Sequence, residues 1–308
     1  RNTAPALALA ALTLASHADD SSEPVMLVLP ADHVINDVGK FQSAVALGTV
    51  LAGQECIVTF GVLPTAPSTG YGYIKKGETY ALSGSNDATV SEAYRLETFV
   101  EKPDEARAAK MVQSGEYLWN SGMFMMKASV WLEQLKRFRP DIVEACGQSY
   151  EAGKRDGDFY RPDAELFAAC PADTIDYAVM ERIADQAGAD GPDPVVVPLD
   201  AGWSDVGAWS AFLAVSPRDS AGNVVQGDVY VQNMRNSLVI GQHRLVTAIG
   251  LENVIVVGGL SLLPSLVSGA FTCQAIEPPP APMETTSTMG TKTWYWVMTA
   301  RRRSMMGH

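Results

Sequence analysis

The stretch Val25-Met26-Leu27-Val28-Leu29-Pro30-Ala31-Asp32-His33 decides how the rest of the chain reads. Five consecutive apolar residues stopped by a proline suit a strand buried on both faces, as parallel sheets require. Asp32 follows the carboxyl end of that strand, where open α/β sheets collect ligands. A carboxylate there is placed to hold Mg²⁺ against a phosphate. The plain alternative is that Asp32 only begins a turn, and a structural role is the default for His33.

Outward from this strand the pattern repeats. Thr3 and Pro5 suit the start of a helix over residues 4–14. Asn36 can cap a helix with Val38, Phe41, Ala44 and Val45 on one face. Residues 56–62 and 95–100 read as strands, 64–73 as a Pro/Gly loop, and 104–114 as a polar helix. A strand is expected over 122–127, amphipathic helices over 129–138 and 140–149, and a strand over 195–199. A helix from Thr174 would carry Ile175, Val179 and Ile183 on one side. Strand–helix–strand alternation of this kind signals a parallel α/β sheet. After Asp219 short strands at 224–225, 229–231, 238–240 and 254–257 alternate with Gly, Asn and Asp turns, which suggests a small all-β appendage.

Composition narrows the function. The chain has 308 residues, 47% hydrophobic, enough for a sizeable core. Its 35 acidic and 23 basic side chains give a net charge of −12, which argues against sequence-independent nucleic-acid binding. Phosphates can still be handled through a divalent metal or a local Lys/Arg cluster. Cys56, Cys146, Cys170 and Cys273 are scattered, so no zinc site or disulfide framework is expected, and a reducing cytoplasm is the simplest compartment. No apolar run reaches the roughly 18 residues that span a bilayer, so no membrane partner is expected. P-loop, dinucleotide, zincin and α/β-hydrolase motifs are all missing.

Three further stretches carry candidate chemistry. Asp205, in Gly202-Trp203-Ser204-Asp205-Val206-Gly207, follows a strand and could join Asp32 on one metal; capping a helix near Ala208 is its structural alternative. Lys102, in Glu101-Lys102-Pro103, leaves a strand with its exit fixed by proline and offers a point charge to a phosphate. Asn120-Ser121-Gly122 and Gly70-Tyr71-Gly72 read as turns able to meet sugar hydroxyls.

Taken in order, seven stretches resemble successive motifs of bacterial mannose-1-phosphate guanylyltransferases. The first four are Arg1-Asn2-Thr3-Ala4-Pro5, Leu29-Pro30-Ala31-Asp32-His33, Thr69-Gly70-Tyr71-Gly72-Tyr73-Ile74 and Phe99-Val100-Glu101-Lys102-Pro103. Trp119-Asn120-Ser121-Gly122-Met123-Phe124, Ile175-Asp176-Tyr177-Ala178-Val179-Met180-Glu181 and Gly202-Trp203-Ser204-Asp205-Val206-Gly207-Ala208-Trp209 complete the set. The resemblance runs to about Val257. It implies an α/β fold: a Rossmann-like nucleotidyltransferase core over 1–218 with a mixed, mainly parallel sheet, then a β-helix-like segment over 219–257. It implies GTP and mannose 1-phosphate as substrates, GDP-mannose and pyrophosphate as products, and Mg²⁺ as cofactor. By the same resemblance Asp32 and Asp205 hold the metal, Lys102 meets the sugar phosphate, and Gly72, Glu101 and Asn120 contact the sugar. Asn2 and Thr3 fall near the guanine base, and Asp176 and Glu181 fall in a substrate-binding motif. Homo-oligomerisation is left open.

Two departures shape the expectation. The family's Gly-rich phosphate loop does not precede Arg1, so the chain reads as N-terminally incomplete, with weak GTP binding, little turnover and an exposed sheet edge. Residues 258–308 hold 5 of the 12 Met and 5 of the 18 Pro but only 2 of the 35 acidic residues, and read as an atypical tail, frameshifted or disordered. Another nucleotide or hexose, and a non-catalytic sugar-nucleotide binder, are the competing functions.

Overall fold

The computed structural model describes residues 1–16, 23–81, 92–157, 159–184, 191–207, 209–258, 271–275 and 295–300. They belong to two units: Arg1–Ala31 with Asp37–Trp203 and Thr293–His308, and Asp32–Asn36 with Ser204–Lys292. The first half of the chain forms α1 (Thr3–Ala15), β1 (Val25–Pro30), β2 (Val34–Ile35), α2 (Val38–Gly53), β3 (Ile57–Val62), β4 (Tyr73–Thr79), β5 (Tyr94–Val100), α3 (Glu105–Ser114), β6 (Tyr117–Lys127), α4 (Ala128–Phe138) and α5 (Pro140–Glu151). Next come β7 (Lys154–Asp156), β8 (Phe159–Arg161), α6 (Ala164–Ala169), a π turn (Asp176–Met180), α7 (Glu181–Ala184), β9 (Pro194–Pro198) and β10 (Trp203–Ser204). The chain continues through α8 (Trp209–Val215), β11 (Val224–Gln232), β12 (Leu238–Ile249), β13 (Val254–Gly258), β14 (Phe271–Ala275) and β15 (Tyr295–Ala300).

The first unit is built on a seven-stranded sheet in the order β15-β1-β6-β3-β9-β5-β4, with β4 also pairing β6. Met26, Val28, Phe124 and Met126 point to one face, where they meet α1, α4, α5 and the π turn through Leu7, Trp131, Cys146 and Val179. On the other face a methyl added at Gly48 of α2 would lie 3.1 Å from both Met125 and Phe60. Both faces are therefore covered, which is why the strands read as continuous apolar runs.

That covering also explains a correction. The sheet is mixed, but it is not mainly parallel: β3 and β9 run parallel, whereas β1–β6, β3–β6, β4–β5, β4–β6 and β5–β9 are antiparallel. An apolar run reports two buried faces and carries no information on direction. The sequence implies an exposed sheet edge without assigning it to a strand, and that edge is not β1. Its backbone is paired antiparallel by β15, from Val25 opposite Ala300 to Pro30 opposite Tyr295.

Helix starts shift by one residue. Asn2, not Thr3, caps α1, its Oδ1 accepting from Thr3 N–H at 3.0 Å. Asp37, not Asn36, caps α2 by accepting from Lys40 N–H at 3.0 Å. The buried face of α2 is Ala44, Leu47, Gly48, Leu51 and Ala52, and Val38 is 57% exposed.

In the second unit β11, β12 and β13 pair parallel, with a register shift against β12 between Gly227 and Val229, and β14 pairs antiparallel with β13. Buried Asn223 donates to Met234 C=O at 3.0 Å and accepts from Ser237 N–H at 3.1 Å. Ser237 Oγ in turn accepts from Val254 N–H at 3.2 Å, so small polar side chains stitch one turn to the next. Of residues 258–308 only Gly258, Phe271–Ala275 and Tyr295–Ala300 are described, and the expectation of an unpatterned tail otherwise lies outside the described residues. Among the described residues no helix is long and apolar enough to cross a membrane.

Candidate functional site

The first unit gathers six of the expected residues. β5 ends at Val100 and delivers Glu101 and Lys102 directly. Lys102 has φ 48°, a left-handed conformation uncommon for a side-chain-bearing residue, and it stands before Pro103, which restricts it further. Strain of this kind, of order 1–3 kcal/mol, persists where surrounding structure holds it. Here Lys102 Nζ lies 3.2 Å from Glu101 Oε1, and the Glu101 side chain is only 10% exposed. Gly72 lies against the same carboxylate: a Cβ there would be 2.5 Å from Glu101 Oε2 and 3.2 Å from Asn120 Cβ.

Asn120 does not sit in a turn. It lies inside β6, at a bulge where the register against β3 shifts between Thr59 and Gly61. Bulges re-aim side chains, and this one fixes the Asn120 amide at both ends. Oδ1 accepts from Gly122 N–H at 3.1 Å, while Nδ2 donates to Asp176 Oδ1 at 2.9 Å. Because a backbone N–H can only donate, the amide orientation is unambiguous. Asn120 N–H also donates to Gly72 C=O at 2.8 Å.

Asp176 and Glu181 bracket the π turn, where an α-helix start was expected near Thr174. Glu181 N–H donates to Asp176 C=O across it. In an α-helix of 3.6 residues per turn, residues five apart project in different directions; the wider turn draws them together. Glu181 Oε1 accepts from Glu101 N–H at 3.2 Å, so both acidic residues face the β5–β6 side.

Charges in this pocket press on one another. Burial, and then Glu101, push the Asp176 carboxyl up to about 7, against the opposing hydrogen bond from Asn120. The residue keeps some exposed surface, but its carboxyl is enclosed by protein. Burial also raises Glu101, with Lys102 working the other way. For Lys102 burial favours the neutral amine, yet Glu101, Tyr177 and Asp176 more than offset it and the pKa rises.

Asn2 and Thr3 lie elsewhere in the first unit. Thr3 is buried and its Oγ1 accepts from Ile175 N–H at 2.8 Å, which ties α1 to the residue before Asp176. Asp32 and Asp205 belong to the second unit. Asp32 stands two residues before β2 and Asp205 one residue after β10, and these strands pair. The Asp32 carboxylate is 59% exposed, 3.9 Å from His33 Nε2. Asp205 Oδ1 accepts from Gly207 N–H at 3.3 Å, beside Val206 at φ 49°, a conformation rare for a β-branched residue. Among the described residues no group of three or more His, Cys, Asp or Glu forms a metal cage. Asp32 and Asp205 offer carboxylate oxygens of the kind Mg²⁺ takes beside waters and substrate oxygens.

Sequence reading missed Thr59 and Tyr177. Thr59, wholly buried, points its hydroxyl at Asn120 Oδ1 (3.4 Å) and Met123 C=O (3.3 Å). Its only signal was a hydroxyl inside an apolar strand. Tyr177 is exposed beside Lys102 and Glu101 and stood inside a family-like stretch without a role of its own.

Residues 1–222 match the nucleotidyl transferase family. The xanthan biosynthesis protein XanB of Xanthomonas campestris pv. campestris (strain B100) is 51% identical over 257 residues, 83% of this chain and 50% of its own length. A mannose-1-phosphate guanylyltransferase of Klebsiella pneumoniae is 48% identical over 257 residues, 83% of this chain and 51% of its own. The chain thus spans about half the length of the curated relatives it matches. The crystal structure described as a mannose-1-phosphate geranyltransferase from Thermus thermophilus superposes with a TM-score of 0.66 at 28% identity, over 89% of this chain and 71% of that one.

Proposed function

We propose, from the premise that the chain belongs to the nucleotidyl transferase family, that it carries out guanylyl transfer from GTP to mannose 1-phosphate. The observation that carries this reading is the clustering of Gly72 and Lys102 on the Glu101 carboxylate and of Asn120 on that of Asp176, in a chain about half identical to a mannose-1-phosphate guanylyltransferase.

Lys102 is the cation for the sugar phosphate. Its strained backbone and its ion pair with Glu101 hold the ammonium in place before substrate arrives, so positioning costs little at the moment of reaction. Glu101 and Asn120 take the sugar hydroxyls, and Gly72 leaves the space they occupy. Asn120 Nδ2 has a second N–H that no hydrogen bond among the described residues uses. Asp176 and Glu181 complete the sugar side from behind these groups, and the Asn2–Thr3 stretch belongs to the nucleotide side. The phosphate oxygen of the sugar attacks the α-phosphorus of GTP and pyrophosphate leaves in line, without a protein nucleophile. Asp32 and Asp205 would hold Mg²⁺, which when bound shields phosphate charge and polarises the attacked phosphorus. The parallel ladder of β11, β12 and β13, tied by Asn223 and Ser237, supports a β-helix-like segment over 219–257 after a core over 1–218.

Calorimetric titration with mannose 1-phosphate tests the reading. Binding is expected, with Lys102→Ala weakening it about 10–100-fold, the scale of a charge-assisted hydrogen bond of ~1.5–3 kcal/mol. Mannose binding as tightly as mannose 1-phosphate, or no binding of either, overturns it.

A further inference from the structure

The pocket holds three carboxylates, Glu101, Asp176 and Glu181, and one ammonium, Lys102, so with every group ionised it carries two net negative charges. A phosphate dianion entering this pocket meets like charge. Lowering that charge requires a proton on a carboxylate that can accept one without losing its structural bond. Glu101 is committed to Lys102 as an anion. Glu181 accepts the Glu101 N–H beside solvent-facing Tyr177. Asp176 differs: Oδ1 accepts from Asn120, and that bond survives when the proton sits on Oδ2. Glu101 and Lys102 from β5, Tyr177 on the same turn and Glu181 on α7 are the ionisable groups acting here. α4, packed against the turn, contributes apolar Trp131 and Leu135 to the core.

We infer that Asp176 is a positioning residue that works as a neutral carboxyl, holding the Asn120 amide in register while the pocket takes up a proton at Oδ2 as a sugar phosphate binds. This rests on the sugar-phosphate reading above. Asparagine at this position reproduces both features, an oxygen for Asn120 and a donor in place of the acid proton.

Calorimetry with mannose 1-phosphate and no divalent metal, between pH 7 and 9 in buffers of different ionisation enthalpy, tests it. A phosphate monoester, with its second pKa near ~6, is dianionic throughout this window. Wild-type affinity is expected to fall at least about fivefold across it, with buffer-dependent heats reporting proton uptake. Asp176→Asn should give a flat pH profile and no proton uptake. Flat wild-type binding, or uptake or pH dependence persisting in D176N, would each overturn the inference. Carboxyl ¹³C NMR of the unliganded chain separates this from failure of the substrate reading. A single carboxyl titrating near neutrality, and lost in D176N, is expected whether or not mannose 1-phosphate binds, and its absence overturns the inference.

Discussion

Replacing Gly72 by alanine would place a methyl group 2.5 Å from Glu101 Oε2, 3.2 Å from Asn120 Cβ and 3.5 Å from Phe99 Cζ. Carbon contacts settle near ~3.5–4.0 Å, so the carboxylate must give way. The Gly72 backbone is outside the left-handed region, and the effect is therefore one of space alone. Glu101 has little room to yield, being 10% exposed, paired with Lys102 through Oε1 and held at its own N–H by Glu181. Overpacking of this kind costs about 1–3 kcal/mol. Urea unfolding should report that loss, and calorimetry should report mannose 1-phosphate affinity reduced by tenfold or more, since Lys102 loses its anchor. Glu101→Ala removes the obstructed oxygen, so in that background Gly72→Ala should cost less than about 0.5 kcal/mol, leaving a coupling of roughly 1–2 kcal/mol between the two positions. Equal cost in both backgrounds, or a Gly72→Ala variant with unchanged affinity, would refute the reasoning.

Stability should also follow the Asp176 carboxyl. Its folded pKa lies above the ordinary 3.8, at about 7, so folding favours the neutral acid. That contribution is complete below about pH 4 and is lost as pH rises through 7. The melting-temperature advantage of D176N over wild type should therefore grow from near zero at pH 4 to its maximum above pH 7, and a constant gap would contradict the assignment. Thr59→Val keeps the shape of a buried residue but removes the hydroxyl facing Asn120; about 1 kcal/mol of stability and a several-fold loss of sugar-phosphate affinity are expected by the same two assays. In the second unit, Asn223→Ala strips partners from Met234 C=O and Ser237 N–H. Thermal unfolding should show a loss of about 2–4 kcal/mol with no change in sugar-phosphate binding.

What the sequence disclosed depended on how local each signal was. The apolar run before Pro30 located β1 because burial and a chain-stopping proline are both written in adjacent residues. The end of β5 before Glu101, Lys102 and Pro103 was legible for the same reason, while a role for Lys102 rested on the family resemblance. Strand direction was not, since two covered faces produce the same run in either sense. Asn120-Ser121-Gly122 has the composition of a turn, and only pairing with β3 keeps it within β6 as a bulge. Ile175, Val179 and Ile183 are buried at helical spacing, yet the backbone opens into a π turn, entered at Ile175 and Asp176 through bonds to Thr3 and Asn120 and left at Glu181 through its bond to Glu101 N–H. The pairing of Asp176 with Asn120, and the burial that raises its pKa, depend on chain segments 56 residues apart.

³¹P NMR of GTP and mannose 1-phosphate incubated with Mg²⁺ and protein, on this chain and on the product of its whole source locus, tests guanylyl transfer most directly. The account predicts GDP-mannose and pyrophosphate signals, stronger with GTP than with UTP, dTTP or ATP, and lost in Asp205→Ala. No diphosphate product with any nucleotide from either protein, or an undiminished yield in Asp205→Ala, would contradict it.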